Sequence, residues 1–285
     1  MSFIISTDST ANLPDNIIKE NDLVVTPLLY SYNGKDYYTT LISEFDGDSY
    51  YEMIKNVDVK TSTINIQQFR DAWEPLLKEG KDILHISISS GISSTYQTSH
   101  MAMEMLLEEY PDRTIRTIDT LAASLGEGLS VIDAIEHRKN GLTINQAADA
   151  IEAKKSTLRQ VFTVDDLIFL KKGGRLSNAA ALIGSLLNIK PILIGNELGQ
   201  IVLRTKERGR KTALKELLKE YKDTAADAKN NLVCIAHCAS YKDALWLETE
   251  IKQINPEQEV LNVMYEPVTG CHVGTGTVAL FFWKK

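Results

Sequence analysis

Short apolar runs of strand length alternate with stretches of helical apolar spacing along almost the whole chain, and this alternation constrains the fold more than any other feature of the sequence. Phe3 to Ser6 reads as a first strand and Leu13 to Glu20 as a helix, followed by a strand over Val24 to Leu29. Helical spacing returns over Asp48 to Asn56 and Ile66 to Glu79, with the β-branched strand Asp82 to Ile88 after it. Helix Thr95 to Glu109, strand Thr114 to Ile118 and helices Leu125 to Arg138 and Ile144 to Lys155 complete a first block. Strands that alternate with helices in this way pair in parallel and bury both faces of the sheet under the helices.

A second block restarts the pattern. It runs through a strand from Leu158 to Val164, a segment Asp166 to Lys171, a small-residue helix Asn178 to Leu187 and a hairpin of Ile189 to Ile194 with Gln200 to Arg204. Helix Lys211 to Tyr221, strand Leu232 to His237, helix Lys242 to Ile254, strand Val260 to Tyr265 and strand Val278 to Trp283 follow. The expectation is an α/β protein of two lobes, residues 1–156 and 157–285, with a mostly parallel helix-covered sheet in the first, a mixed sheet in the second and a ligand site at their interface.

At 285 residues with a net charge of −7, the chain repels polyanions, which excludes a nucleic-acid binder relying on phosphate neutralisation. Residues 1–10 carry no basic n-region and only Phe3, Ile4 and Ile5 as an apolar run, so a cytoplasmic protein without a membrane segment is expected. Cys234, Cys238 and Cys271 are too few and too oddly numbered for a disulfide framework. Cys234 and His237 lie on opposite faces of one strand, so core cysteines are expected there and no metal.

Four clusters carry polar chemistry at the ends of expected elements. Ser89-Ser90-Gly91-Ile92-Ser93-Ser94-Thr95 leaves a strand and enters a helix, where first-turn amides and serine hydroxyls converge on an anion, or else simply cap the helix. It falls one residue short of a G-x-S-x-G nucleophile elbow, because Thr95 replaces the last glycine, and it has no lysine for a P-loop. Lys60-Thr61-Ser62-Thr63 supplies further hydroxyls or caps the helix beginning near Ile66. Gly270 to Thr277 reads as a glycine-rich loop between strands, with His272 either a donor to ligand hydroxyls or a surface residue. Lys171-Lys172-Gly173-Gly174-Arg175, with Arg204, Lys206, Arg208, Arg210 and Lys211 further on, is either a solvated basic surface or a contact for an anion or acidic partner.

Taken together, Thr61-Ser62, the Gly91 to Gln97 run, the Lys171 to Arg175 run and the Gly270 to Thr277 run, with the opening Ile5-Ser6-Thr7-Asp8-Ser9, resemble the DegV family over essentially the whole chain and in family order. The resemblance implies a carrier with no cofactor that binds a long-chain fatty acid such as palmitate, for lipid transport or fatty acid metabolism, and presents it in some bacteria to a fatty acid kinase for acyl phosphate formation. It further implies that Thr61 and Ser93 bond the carboxylate, with Ser62 and Ser94 beside them, that His272 supports them and that Arg175 engages the kinase. Three positions depart from the family's habit: Thr63-Ile64 where Gln-Pro is frequent, Ser94 in place of Gly, and Thr275 in place of Pro. Two readings of other classes compete, a serine esterase using Ser93 and His272, and a protein with a purely structural or interaction role.

Overall fold

The computed structural model describes residues 3–177, 188–227 and 231–285. The expected helix Asn178 to Leu187 therefore lies outside the described residues. The strands are β1 (Ile4–Asp8), β2 (Val24–Thr26), β3 (Leu29–Tyr32), β4 (Lys35–Tyr38), β5 (Lys60–Ser62), β6 (Ile83–Ser87), β7 (Ile115–Asp119), β8 (Leu158–Thr163), β9 (Ile189–Gly195), β10 (Ile201–Arg208), β11 (Val233–His237), β12 (Val260–Met264) and β13 (Val278–Trp283). The chain divides into two compact units, one of residues 1–45 and 60–156, the other of residues 46–59 and 157–285.

The first unit is built on a parallel sheet of order β2-β1-β6-β7. Alternation along β6 sends Leu84 and Ile86 into a core with Ile5, Ile118 and the helices Leu125–Lys139 and Ile144–Lys154. His85 points the other way and meets the rings of Phe69 and Trp73, on the helix Ile66–Lys78, at 5.1 Å each. Both faces are covered, which is why β6 is buried at every position. The chain passes from β1 to the edge strand β2 and then to β6 on the other side of β1, so the topological switch point falls between the C-terminal ends of β1 and β6.

A small antiparallel sheet of order β4-β3-β5 belongs to the same unit. Where one strand to Leu29 is expected, β2 and β3 are separate, and β3 turns into β4 through Asn33 and Gly34 at φ 51° and 72°. Two successive positive φ angles define the tight hairpin turn whose twist matches the flanking strands. Tyr30, Tyr32 and Tyr37 stack across this hairpin.

The second unit holds a mixed sheet of order β10-β9-β8-β13-β11-β12 in which, among the described strands, β11 and β12 pair in parallel and the other neighbours antiparallel. Its core joins Val161, Ile192, Ile235 and Leu280 to the helices Arg210–Thr224 and Tyr241–Ile254. A cut at residue 156 misses one excursion: residues 46–59 pack with this second unit. Tyr50 and Tyr51 anchor them, donating their hydroxyls to the carbonyls of Pro267 and Tyr265 at 2.8 Å. No described helix is long and apolar enough to cross a membrane.

Candidate functional site

The segment carrying Ser93 leaves the switch point directly after β6, slung between acceptors on β1, on β7 and in the segment after β7. The amide of Ile88 donates to the Asp8 carboxylate at 3.1 Å, that of Ser89 to the Ala122 carbonyl at 2.7 Å and that of Ser90 to the Asp119 carboxylate at 3.1 Å. Gly91 follows by donating to the Ser89 hydroxyl at 3.0 Å, and Ser93 to the Ser89 carbonyl at 3.1 Å. Asp8 also accepts from Ser87, from the Thr10 amide and from the Thr10 hydroxyl. Burial pushes the Asp8 carboxyl above the ordinary range, and these hydrogen bonds pull against it.

With those amides committed, a ligand meets hydroxyls. Ser93 Oγ lies 2.9 Å from Thr95 Oγ1 and accepts the Thr95 amide at 3.2 Å, while Thr95 Oγ1 lies 2.8 Å from Thr63 Oγ1. The helix Thr95–Glu109 starts immediately beyond, with Ser94 as an N-cap whose side chain makes no capping bond. Among the described residues, the amides of Tyr96 and Gln97 have no acceptor. An anion there would complete the helix's first turn and sit at the positive end of its dipole. Ser93 is half-buried and Ser94 exposed.

Thr61 lies on β5 opposite Tyr30, half-buried between the exposed Lys60 and Ser62. Lys60–Ser62 form an edge strand and Thr63 follows it, and none of the four caps the helix Ile66–Lys78, because Asn65 and Gln68 close a reciprocal capping box on it.

In the second unit, the expected loop Gly270 to Thr277 is in fact a helix, Pro267–Val273, followed by a turn. Glu266 caps it by accepting the amides of Val268 and Thr269 at 2.6 Å, and Pro267 fills the first helical position. His272 on this helix faces the Lys171-Lys172-Gly173-Gly174-Arg175 turn so closely that a β-carbon on Gly173 would lie 2.3 Å from its Nδ1. Arg175 closes the turn by donating to the Gly173 carbonyl at 2.6 Å. Burial and the nearby Arg175 charge push the His272 imidazole down to about 4, so it is neutral at physiological pH. Phe169 fills the space where a β-carbon on Gly274 would go, at 2.3 Å, and Thr275 donates to the Tyr51 carbonyl at 2.8 Å.

The structure thus brings Ser93 together with Thr95 and Thr63 in one unit, and His272 with Arg175 in the other. The two threonines are the residues that sequence reasoning passed over, although both stand inside the quoted motifs. Several members of the basic run are partnered: Lys172 with Asp58 at 2.9 Å, Arg210 with Asp243 at 2.8 Å and Arg204 with Glu220. Ile192, apolar and on β9, belongs to the second core and is not free to line a ligand tail. The three cysteines are buried, and the described residues contain no cluster of His, Cys, Asp or Glu able to hold a metal ion.

A parallel sheet with a hydroxyl-lined loop at its switch point and a second, mixed sheet define a two-unit α/β protein. The chain belongs to the DegV family: the profile described as "Uncharacterised protein, DegV family" matches residues 2–285. A DegV domain-containing protein of Clostridium perfringens is 38% identical over 281 residues, covering 98% of this chain and 97% of that protein. Among solved structures, DegV, a fatty acid binding protein from Bacillus subtilis, is similar with a TM-score of 0.88 at 30% identity, with all of both chains covered. A fatty acid binding DegV family protein from Streptococcus agalactiae gives 0.88 at 31% identity over 100% of this chain and 99% of that one. A fatty-acid-binding DegV family protein from Thermus thermophilus gives 0.90 at 27% identity with both chains fully covered.

Proposed function

We propose that this protein binds a long-chain fatty acid such as palmitate and carries it for lipid transport or fatty acid metabolism. The observation that supports this most is Ser93: its hydroxyl ends a chain of three at the first turn of a 15-residue helix whose Tyr96 and Gln97 amides meet no acceptor among the described residues, in a fold shared with fatty acid binding proteins. A carboxylate leaving water needs such donors to replace its hydration. In this reading Ser93 and Thr61 donate to the carboxylate with Ser62 and Ser94 beside them, and His272 keeps the supporting role that the family resemblance implies. Presentation of the bound acid to a fatty acid kinase, with Arg175 meeting the kinase or the acyl phosphate, is the further part of the proposal. The Ser93→Ala variant tests the headgroup assignment: titration with palmitate should show affinity lowered about tenfold or more, as for loss of a hydrogen bond to a charged group. Unchanged affinity would remove Ser93 from the site.

The esterase reading finds less support. Among the described residues, Ser93 Oγ bonds to the hydroxyl and amide of Thr95 and to neither imidazole nor carboxylate, so nothing bonded to it can take its proton as a general base.

A further inference from the structure

We propose that Thr63 and Thr95 are positioning residues that fix the direction of the Ser93 proton, making Ser93 a committed donor to an anionic headgroup. The inference rests on the fatty acid reading and follows from counting protons. Each hydroxyl has one proton and two lone pairs. Ser93 Oγ already accepts the Thr95 amide at 3.2 Å. If its proton goes to a carboxylate, which only accepts, then the 2.9 Å contact between Ser93 and Thr95 must be bridged by the Thr95 proton. Thr95 Oγ1 then has no proton left for the 2.8 Å contact with Thr63, which must be bridged by the Thr63 proton. A carboxylate therefore orders all three hydroxyls in one sense, from Thr63 to Thr95 to Ser93 to the ligand. Hydrogen bonds aligned head to tail polarise one another, and Thr95 is fully buried, so little solvent screening weakens the effect.

An alcohol headgroup makes no such demand. It can donate to Ser93 or accept from it, so the chain satisfies it in either sense. The relay is thus a device for preferring a carboxylate over the corresponding alcohol. Thr63 is its outer end.

The test compares wild type with Thr63→Val, which keeps the shape and removes the hydroxyl, and Thr63→Ser, which restores it. Each is titrated with palmitate and with hexadecanol, and the ionisation of bound [1-13C]palmitate is followed by NMR as pH is lowered. Thr63→Val should bind palmitate about two- to tenfold more weakly, the range for one hydrogen bond, with hexadecanol binding changed by much less. Its bound carboxylate should take up a proton at higher pH than in wild type, and Thr63→Ser should recover both properties. Equal losses for palmitate and hexadecanol, or wild-type behaviour in all three readouts, would overturn the relay while wild-type palmitate binding leaves the carrier reading standing. Absence of palmitate binding by the wild type would overturn both.

Discussion

The imidazole of His272 rests on the backbone of Gly173 at a distance that leaves no room for a methyl group, with a β-carbon there falling 2.3 Å from Nδ1. The turn Lys171 to Arg175 and the helix Pro267–Val273 therefore hold each other in register. Gly173→Ala should force the ring or the turn to move, lowering stability by about 1 to 3 kcal/mol in a urea or thermal melt. Gly174→Ala is the matched control. Its φ is 69° with nothing within 4 Å of the added atom, so only left-handed backbone strain of about 1 to 2 kcal/mol is expected, with no displacement of His272. Equal effects on the His272 imidazole signals by NMR would contradict the steric account.

Acid should destabilise the first unit through His85. Burial pushes this imidazole down to about 3 from 6.5, with Ser6 3.2 Å from Nδ1 and the rings of Phe69 and Trp73 around it. The unfolded chain then binds a proton that the folded chain refuses, so stability is fully present above the unfolded value and falls as pH drops from about 6.5 toward about 3. Between about pH 7 and about pH 5 the linkage relation gives a loss of about 2 kcal/mol from this group. Urea unfolding at both pH values checks it, and His85→Gln should flatten that part of the profile.

Asp8 ties β1 to the segment after β6. Asp8→Ala leaves the Ile88 and Thr10 amides buried without their acceptor and should cost more than about 2 kcal/mol. Asp8→Asn keeps one acceptor oxygen and should lose less. Hydrogen exchange at the Ile88 amide, fast in Asp8→Ala and slower in Asp8→Asn, separates this tie from general loosening.

Those ties also show what a sequence can and cannot display. Helix Thr95–Glu109 and strand Val278–Trp283 appear with the bounds their periodicity predicts, because one helix and one strand each bury a regular set of side chains. The β3–β4 hairpin was legible too, since Asn33-Gly34 between tyrosine-rich runs is a turn signal with a mechanism; its strands were passed over because they carry little apolar alternation. Glu266-Pro267 likewise announces a helix start that the following glycines obscured. The return of residues 46–59 to the second unit has no local signal, because it depends on Tyr50 and Tyr51 finding carbonyls more than two hundred residues away. For the site, the Ser93 loop could be read from its strand-to-helix position. The part played by Thr63 could not, because its partner Thr95 is 32 residues distant and only the fold brings their hydroxyls to 2.8 Å.

If the ligand is a fatty acid, affinity must follow its length. Each buried methylene contributes about 0.8 kcal/mol, so laurate, four carbons shorter than palmitate, should bind roughly two-hundredfold more weakly. A titration series from twelve to eighteen carbons checks this, and a flat series would place the tail in water.

The most direct test of the carrier account is to quantify what the protein already holds. Mass spectrometry of an organic extract from purified, extensively washed protein, with protein and lipid measured together, should find a long-chain fatty acid near one per chain. An empty extract, joined by failure of the same protein to bind added palmitate or oleate, would contradict the account.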